Sequence, residues 1–227
     1  MEKEPIIISL GGSIVVPEKP DEEFIKSFKA LILELINTGK RFFIIVGGGK
    51  TCRIYNSALS NIIEPKEDDL DWLGIYATRL NALFVKLAFG DIASKNLMID
   101  PNESVSFMED VVVGAGWLPG FSTDADAIFV AEKIGAKKVI NLSNIDFIYD
   151  SDPKINHNAK KFENLTWKEY KEIIGDERKP GANLPFDPVA SKRAEELGIE
   201  VAFIGGNNLE SLKKYISGEK FVGTIIK

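Results

Sequence analysis

The sequence predicts an α/β protein, a three-layer αβα sandwich about a central, mainly parallel sheet. Three observations carry this expectation. Short, mainly apolar runs recur, at residues 6–10, 41–46 and 111–113, as strands buried on both faces require. Segments with apolar residues at helical spacing separate them. Glycine clusters follow three of the strands, at Gly11-Gly12, Gly47-Gly48-Gly49 and Gly114-Ala115-Gly116.

Taken in order, residues 6–10 predict the first strand, running into the turn Gly11-Gly12-Ser13. Asp21 starts a helix whose Phe24, Phe28, Leu31, Ile32 and Leu35 share a face, and Gly39 closes it. Residues 41–46 are the second strand, and a helix from about 50 to 59 follows Gly49. Residues 65–71 suggest an acidic turn. Residues 72–89 give the longest helical pattern, with Leu73, Tyr76, Leu80, Leu83 and Leu87 on one side, a stripe whose default place is the core. Short strands at 97–99 and 111–113, a loop at 114–120, a helix at 123–134 and a strand at 138–142 come next. Residues 146–164 look irregular or hairpin-like. Thr166-Trp167-Lys168-Glu169 matches a capping box, and Asp187-Pro188 sets an N-cap before a proline, opening a helix that ends near Gly198. A strand at 199–204, a helix capped within 207–210 and reaching 216, and a strand at 221–226 complete the chain.

Composition excludes several classes of protein. At 227 residues, 44% hydrophobic and 27% charged, the chain has the balance of an ordinary globular domain. No apolar run approaches the roughly 18 residues that span a bilayer, and the acidic start MEKEPIIISLGGS is unlike a secretory signal. One cysteine, Cys52, and one histidine, His157, argue against disulfide frameworks, cysteine-rich zinc sites and a Ser-His-Asp triad. The net charge of −6 leaves no basic footprint for nucleic acid. A cytoplasmic protein is expected, with one domain over 1–227 and two lobes, about 1–135 and 136–227.

The glycine turns carry the chemistry. Gly47-Gly48-Gly49-Lys50-Thr51 ends like a Walker A loop, but its first glycine is missing because position 44 is Ile, inside the strand. Consecutive glycine N–H groups before a helix still suit a phosphate, and Arg53 on the first turn could grip the same anion. A tight strand-to-helix turn without ligand is equally compatible with these residues. Gly11-Gly12-Ser13 repeats the pattern, so two such turns suggest two phosphate-bearing ligands, or one passing its phosphoryl group to another. Asn144, Asp146, Tyr149 and Asp152 follow a strand and could hold a nucleoside, although Asn and Asp are also ordinary turn residues. Asp71 is either a ribose ligand or an N-cap, and capping is the default for Ser122-Thr123-Asp124. Cys52 is a small apolar filler and His157 has no assigned role.

In this order the segments resemble the amino acid kinase superfamily, and within it the UMP kinase family of archaeal type. The resemblance spans nearly the whole chain. It rests on Leu10-Gly11-Gly12-Ser13, Val46-Gly47-Gly48-Gly49-Lys50 with Arg53, and Asp71-Trp72-Leu73-Gly74-Ile75 running to Thr78-Arg79-Leu80-Asn81-Ala82. Gly114-Ala115-Gly116, Pro119-Gly120-Phe121-Ser122-Thr123-Asp124, Asn144-Ile145-Asp146-Phe147-Ile148-Tyr149 with Asp152-Pro153, and Asp187-Pro188-Val189-Ala190 with Lys192 complete it.

The resemblance implies the amino acid kinase fold and transfer of the ATP γ-phosphoryl group to UMP, with Mg²⁺, in pyrimidine nucleotide biosynthesis. It places Gly12 and Ser13 at the transferred group, and Gly49 and Arg53 beside the phosphates. Gly48 and Asp71 match UMP-binding positions, and the loop Gly116-Trp117-Leu118-Pro119-Gly120-Phe121-Ser122-Thr123 surrounds uracil and ribose. Ser143, Asn144, Tyr149 and Asp152 match the ATP side; no residue is assigned to a metal. A homohexamer built as a trimer of dimers is expected, with no membrane or nucleic-acid partner.

Three positions depart from the family pattern. Ser9 stands where many members carry a phosphate-contacting Lys; Lys50 and Lys192 are candidates to replace its charge. Phe147 replaces a glycine, and Trp117-Leu118 makes the acceptor loop bulkier. The competing readings are another small-acceptor kinase, such as isopentenyl phosphate, acetylglutamate or carbamate kinase, and a non-catalytic nucleotide binder like the molybdenum storage proteins.

Overall fold

The computed structural model describes residues 4–103, 109–151, 153, 155–175 and 184–227. Strands β1 (Glu4–Leu10) and β2 (Lys40–Val46) pair in parallel, with Ile8 opposite Ile44. Side chains alternate across a strand, so each run divides its residues between two cores. Ile8, Leu10, Phe42, Ile44 and Val46 enter one core, and Ile7, Phe43 and Ile45 the other. All eight are inaccessible to solvent, which is why the inner parts of these strands are mainly apolar instead of alternating with polar residues.

The sheet has seven strands. From one edge they run β3 (Val111–Gly114), β2, β1, β4 (Lys138–Ser143), β8 (Glu200–Gly205), β9 (Thr224–Ile226) and β7 (Asn164–Leu165). The β8–β9 pair is antiparallel and the other pairs are parallel. A two-stranded hairpin, β5 (Ile148–Tyr149) with β6 (Lys161–Phe162), stands apart in the stretch expected to be hairpin-like.

Helices cover both faces. On one side lie α1 (Gly12–Val15), α2 (Glu22–Ile36), α4 (Glu67–Phe89) and α8 (Leu209–Ile216), which contribute Phe28, Val85 and Leu212 to the first core. On the other lie α5 (Thr123–Ile134), α6 (Trp167–Ile174) and α7 (Pro188–Leu197), which contribute Ile128, Tyr170 and Ala190. Each fully buried Phe or Ile contributes roughly 1.5–3 kcal/mol. The caps act as the sequence requires. Asp21 accepts from Phe24 N–H at 2.9 Å, Thr166 and Glu169 form the capping box, and Asp187 accepts from Ala190 N–H at 2.9 Å.

Four expectations need correction. Residues 65–71 are no turn: α4 begins at Glu67, where acidic side chains complement the helix dipole and Asp69 accepts from Lys66 N–H at 3.1 Å. The stripe on α4 is not core: Tyr76, Leu80 and Leu87 are 63%, 59% and 65% exposed, and Ile75, Ala82 and Val85 face inward instead. Around 97–99 the backbone makes an isolated bridge between Met98 and Gly114, not a strand. The last strand is confined to Thr224–Ile226 and does not reach back to residue 221.

Candidate functional site

Chain order leaves β1 in two directions, toward β2 and β3 on one side and β4 and β8 on the other, so the switch point lies at β1. Ligands bind beyond the carboxyl ends of strands at such a point. A cleft of about 700 Å³ opens there. Ser13 after β1, Gly48 and Gly49 after β2, Gly116 after β3 and Asn144 after β4 all line it. Its volume is that of a small-ligand site.

The two glycine turns are fitted to each other. A Cβ on Gly12 would lie 2.1 Å from the Gly49 nitrogen and 2.5 Å from the Gly47 carbonyl oxygen. Gly49 also has φ +58°, a left-handed conformation that favours glycine. In the last strand-proximal turn, Gly47 N–H donates to Leu10 O at 2.9 Å, which ties the two turns at their base. Helix α3 (Gly49–Ile62) leaves the second turn, and Arg53, Asn56, Ser57 and Ser60 of that helix line the cleft. Their spacing of three and four residues is one polar helical face.

The loop after β3 is strapped by side chains from two helices. Gly116 N–H donates to Thr78 Oγ1 at 2.8 Å, Trp117 N–H to Asp126 Oδ2 at 3.2 Å, and Gly120 N–H to Asp71 Oδ2 at 2.7 Å. Arg79 donates to Trp117 O at 3.3 Å. Within the loop Trp117 stacks on Phe121 at 5.3 Å between ring centres, and both meet Phe129 edge-on. Ser122 caps α5 by accepting from Ala125 N–H at 3.2 Å.

Beneath the cleft lies a buried polar cluster. Ser9 Oγ donates to Asp124 Oδ1 at 2.7 Å, and Asn141 Nδ2 donates to the same oxygen at 3.0 Å. The position expected to have lost a lysine is therefore a hydroxyl bonded to an acid. Burial raises the Asp124 carboxyl to about 6, against the hydrogen bond from Ser9 that favours its ionised form. Burial raises Asp126 further, to about 8, against the bond it accepts from Trp117 N–H.

Of the residues singled out in the sequence, Ser13, Gly48, Gly49, Arg53, Asp71, Gly116, Phe121, Ser122, Thr123 and Asn144 line the cleft together. Gly12 shapes it through the contact with Gly49. The structure does not bring Lys50 there: its ammonium stands 3.1 Å from Glu18 on the outside. Lys192 is exposed on α7 and is likewise outside the lining. Trp117 lines a separate cavity of about 490 Å³ beside Phe129. Leu118 is exposed, Pro119 and Gly120 form the outer turn of the loop, and Ser143 and Tyr149 stand behind Asn144 on β4 and β5. Asp152 lies outside the described residues. Phe147 is buried with Lys161 4.3 Å over its ring, on the hairpin side. Among the described residues no three acidic, His or Cys side chains gather as a metal-binding group.

Sequence reasoning passed over the polar face of α3, which its spacing could have revealed. Capping by the segment Ser122-Thr123-Asp124 is supplied by Ser122, while the bond of Asp124 to Ser9 and the part played by Asn141 went unremarked.

The amino acid kinase family model matches residues 4–205. The chain is 37% identical over 224 residues to a uridylate kinase of Methanospirillum hungatei, covering 97% of this chain and 94% of that one. It is 34% identical over 225 residues to a uridylate kinase of Thermococcus onnurineus, covering 98% and 99%. The crystal structure of uridylate kinase from Archaeoglobus fulgidus superposes with a TM-score of 0.81 at 34% identity, covering 98% and 99%. That of UMP kinase from Ureaplasma parvum gives 0.79 at 19% identity, a likeness of fold alone.

Proposed function

Because the chain belongs to the amino acid kinase family, we infer that it transfers the γ-phosphoryl group of ATP to UMP, giving UDP and ADP. One observation carries this reading: two glycine turns from adjacent strands meet across van der Waals distance, in a polar cleft flanked by an acceptor loop on one side and Asn144 on the other.

The chemistry asks little of side chains beyond position and charge. The UMP phosphate is already an oxyanion at neutral pH, so its oxygen attacks the γ-phosphorus without a general base. The new P–O bond forms as the bond to the ADP oxygen breaks, and ADP departs with that electron pair. What the protein supplies is alignment of two anions and donors that offset their repulsion. In this reading the backbone N–H groups of Gly12, Ser13, Gly48 and Gly49, with the guanidinium of Arg53, supply those donors; Ser13, Gly48, Gly49 and Arg53 lining one cleft supports it. Mg²⁺ enters as part of the MgATP substrate, since it binds through phosphates with few protein ligands. Asp71 and the loop from Gly116 to Thr123 take the uridine, and Ser143, Asn144, Tyr149 and Asp152 take ATP. The acceptor side is a lobe of about 1–135 and the ATP side one of about 136–227. Among the described residues no helix is long and apolar enough to cross a membrane. The single Cys52 fits a reducing cytoplasm. The outward apolar side chains of α3 and α4, among them Tyr55, Tyr76, Leu80 and Leu87, support self-association, with a homohexamer as the assembly.

The test is ADP release from MgATP against UMP, CMP, dUMP, isopentenyl phosphate and acetylglutamate. Selective turnover of UMP is the expected result. Preference for another acceptor would overturn the assignment of Asp71 and the acceptor loop, and ATP binding without turnover of any acceptor would overturn the kinase reading.

A further inference from the structure

Asn81 lies on the inward side of α4, 3% exposed, and does not line the cleft. Its Nδ2 donates to Gly47 O at 2.9 Å and to Gly48 O at 3.0 Å. Thr51 Oγ1 stands 3.5 Å from its Oδ1. The amide has one workable orientation. Turned over, it would set Oδ1 against two carbonyl oxygens with no proton between them.

A trans peptide unit is planar, with its C=O and N–H opposed. Anchoring the Gly47 carbonyl to α4 therefore aims the Gly48 N–H away from α4. Anchoring the Gly48 carbonyl does the same for the Gly49 N–H, whose nitrogen faces Gly12. Three consecutive glycines have little preference of their own for any orientation. The Gly48 carbonyl is also held from its own helix, where it accepts from Cys52 N–H at 3.2 Å; the buried amide of Asn81 adds a second anchor there and ties the Gly47 carbonyl to another element.

We propose that Asn81 is a positioning residue for phosphate: it touches neither nucleotide, and it presets the Gly48 and Gly49 N–H groups toward the acceptor phosphate. This rests on the reading of the cleft as the UMP site. The role is specific to the phosphate, and that separates it from a packing role. Asn81→Ala removes the side-chain anchor from both carbonyls and leaves Gly48 O only its bond from Cys52 N–H; Asn81→Asp keeps the shape and turns a donor into an acceptor.

The experiment compares the affinity of each variant for UMP and for uridine, which differ only in the phosphate. Loss of UMP affinity by about tenfold, with uridine binding within about twofold of wild type, is expected; the first figure is the scale of one lost hydrogen bond to a charged group. Parallel loss for both ligands, or no loss for either, would overturn the proposal. Should the variants fail to fold, amide spectra of the wild-type protein decide. Gly48 and Gly49 must shift on adding UMP and stay near their free positions with uridine, and silence of both amides would overturn it. If wild type binds no UMP, the acceptor reading fails. Inorganic phosphate then replaces UMP in the same comparison: response of both amides upholds the proposal and silence refutes it.

Discussion

The carboxylate of Asp71, on α4, accepts a 2.7 Å hydrogen bond from the backbone N–H of Gly120, at the outer turn of the loop after β3. The two residues are 49 apart in sequence, and the bond closes one wall of the cleft. A carboxylate has two oxygens and about four acceptor sites, so it can hold the loop and still accept from a ribose hydroxyl. Asp71→Asn keeps an oxygen for Gly120 and loses the charge. We expect the KM for UMP to rise about tenfold with kcat little changed, the sign of lost ground-state binding. Asp71→Ala frees the loop as well and should lower kcat/KM by about a hundredfold, two lost interactions of about 1.4 kcal/mol each. Steady-state kinetics with UMP as the varied substrate check both.

Gly12→Ala should abolish turnover. Its new methyl would meet the Gly49 nitrogen and the Gly47 carbonyl, which are backbone atoms that cannot swing aside. The contrast is Gly135→Ala at the left-handed C-cap of α5, where nothing stands within 4 Å of a Cβ. That substitution should cost about 1 kcal/mol of stability and leave kinetics intact. Assays and thermal unfolding of the two variants separate a blocked site from a strained cap.

Arg53 and Lys50 share the first turns of α3 and should behave differently. Arg53 lines the cleft, while Lys50 is turned to Glu18. Arg53→Ala should reduce kcat/KM by about a hundredfold, the upper range for a hydrogen bond between charged partners. Lys50→Ala should change it less than about threefold, because an exposed ion pair is worth little. A Lys50 effect equal to that of Arg53 would mean that the lysine leaves Glu18 when nucleotides bind.

The pH dependence of stability should carry the mark of Asp126. Burial raises its carboxyl from 3.8 to about 8 in the folded protein. Between those values the native state holds a proton that the unfolded chain has released, so stability falls as pH rises, by at most about 1.4 kcal/mol per pH unit. Asp124 acts in the same sense, up to about 6. Above pH 6 the remaining slope therefore belongs largely to Asp126, and it should flatten beyond about 8. Asp126→Asn should show a shallower slope from pH 6 to 8 in urea unfolding. Identical slopes for the two proteins would refute this.

Much of the architecture was legible because the strands carry their burial in their composition. The runs at 6–10 and 41–46 lie in β1 and β2, and Asp21, Thr166 and Asp187 cap the helices they were expected to cap. The site was legible where function left glycines and loop polar residues, at Gly48, Gly49, Arg53 and the loop after Gly116. It was not legible where two distant elements meet. Asp124 and Ser9 are 115 residues apart, and no local spacing signals their bond. The start of α4 was hidden by its acidic residues, which suit a turn and a helix N-terminus equally. Its phase was hidden by large side chains on the outside and small or polar ones, such as Ala77, Thr78 and Asn81, on the inside.

Self-association should depend on that outward face. Leu80→Glu with Leu87→Glu replaces two exposed leucines with charges and touches no buried contact. The double variant should run as a monomer by light scattering with its secondary structure retained, and wild type should run as an oligomer. Monomeric wild type would dismiss the assembly reading.

Helix α4 turns Asp71 and Thr78 to the cleft, Asn81 to the glycine carbonyls behind it, and Trp72, Tyr76, Leu80 and Leu87 to the outside. Each residue of an α-helix advances the azimuth by about 100°. Removing one residue between Asp71 and Thr78 would leave Asp71 in place and turn everything after it. The amide that holds the glycine carbonyls would move off its partners, and leucine would rotate toward the interior. A helix read on two sides at once is thus held to its length register.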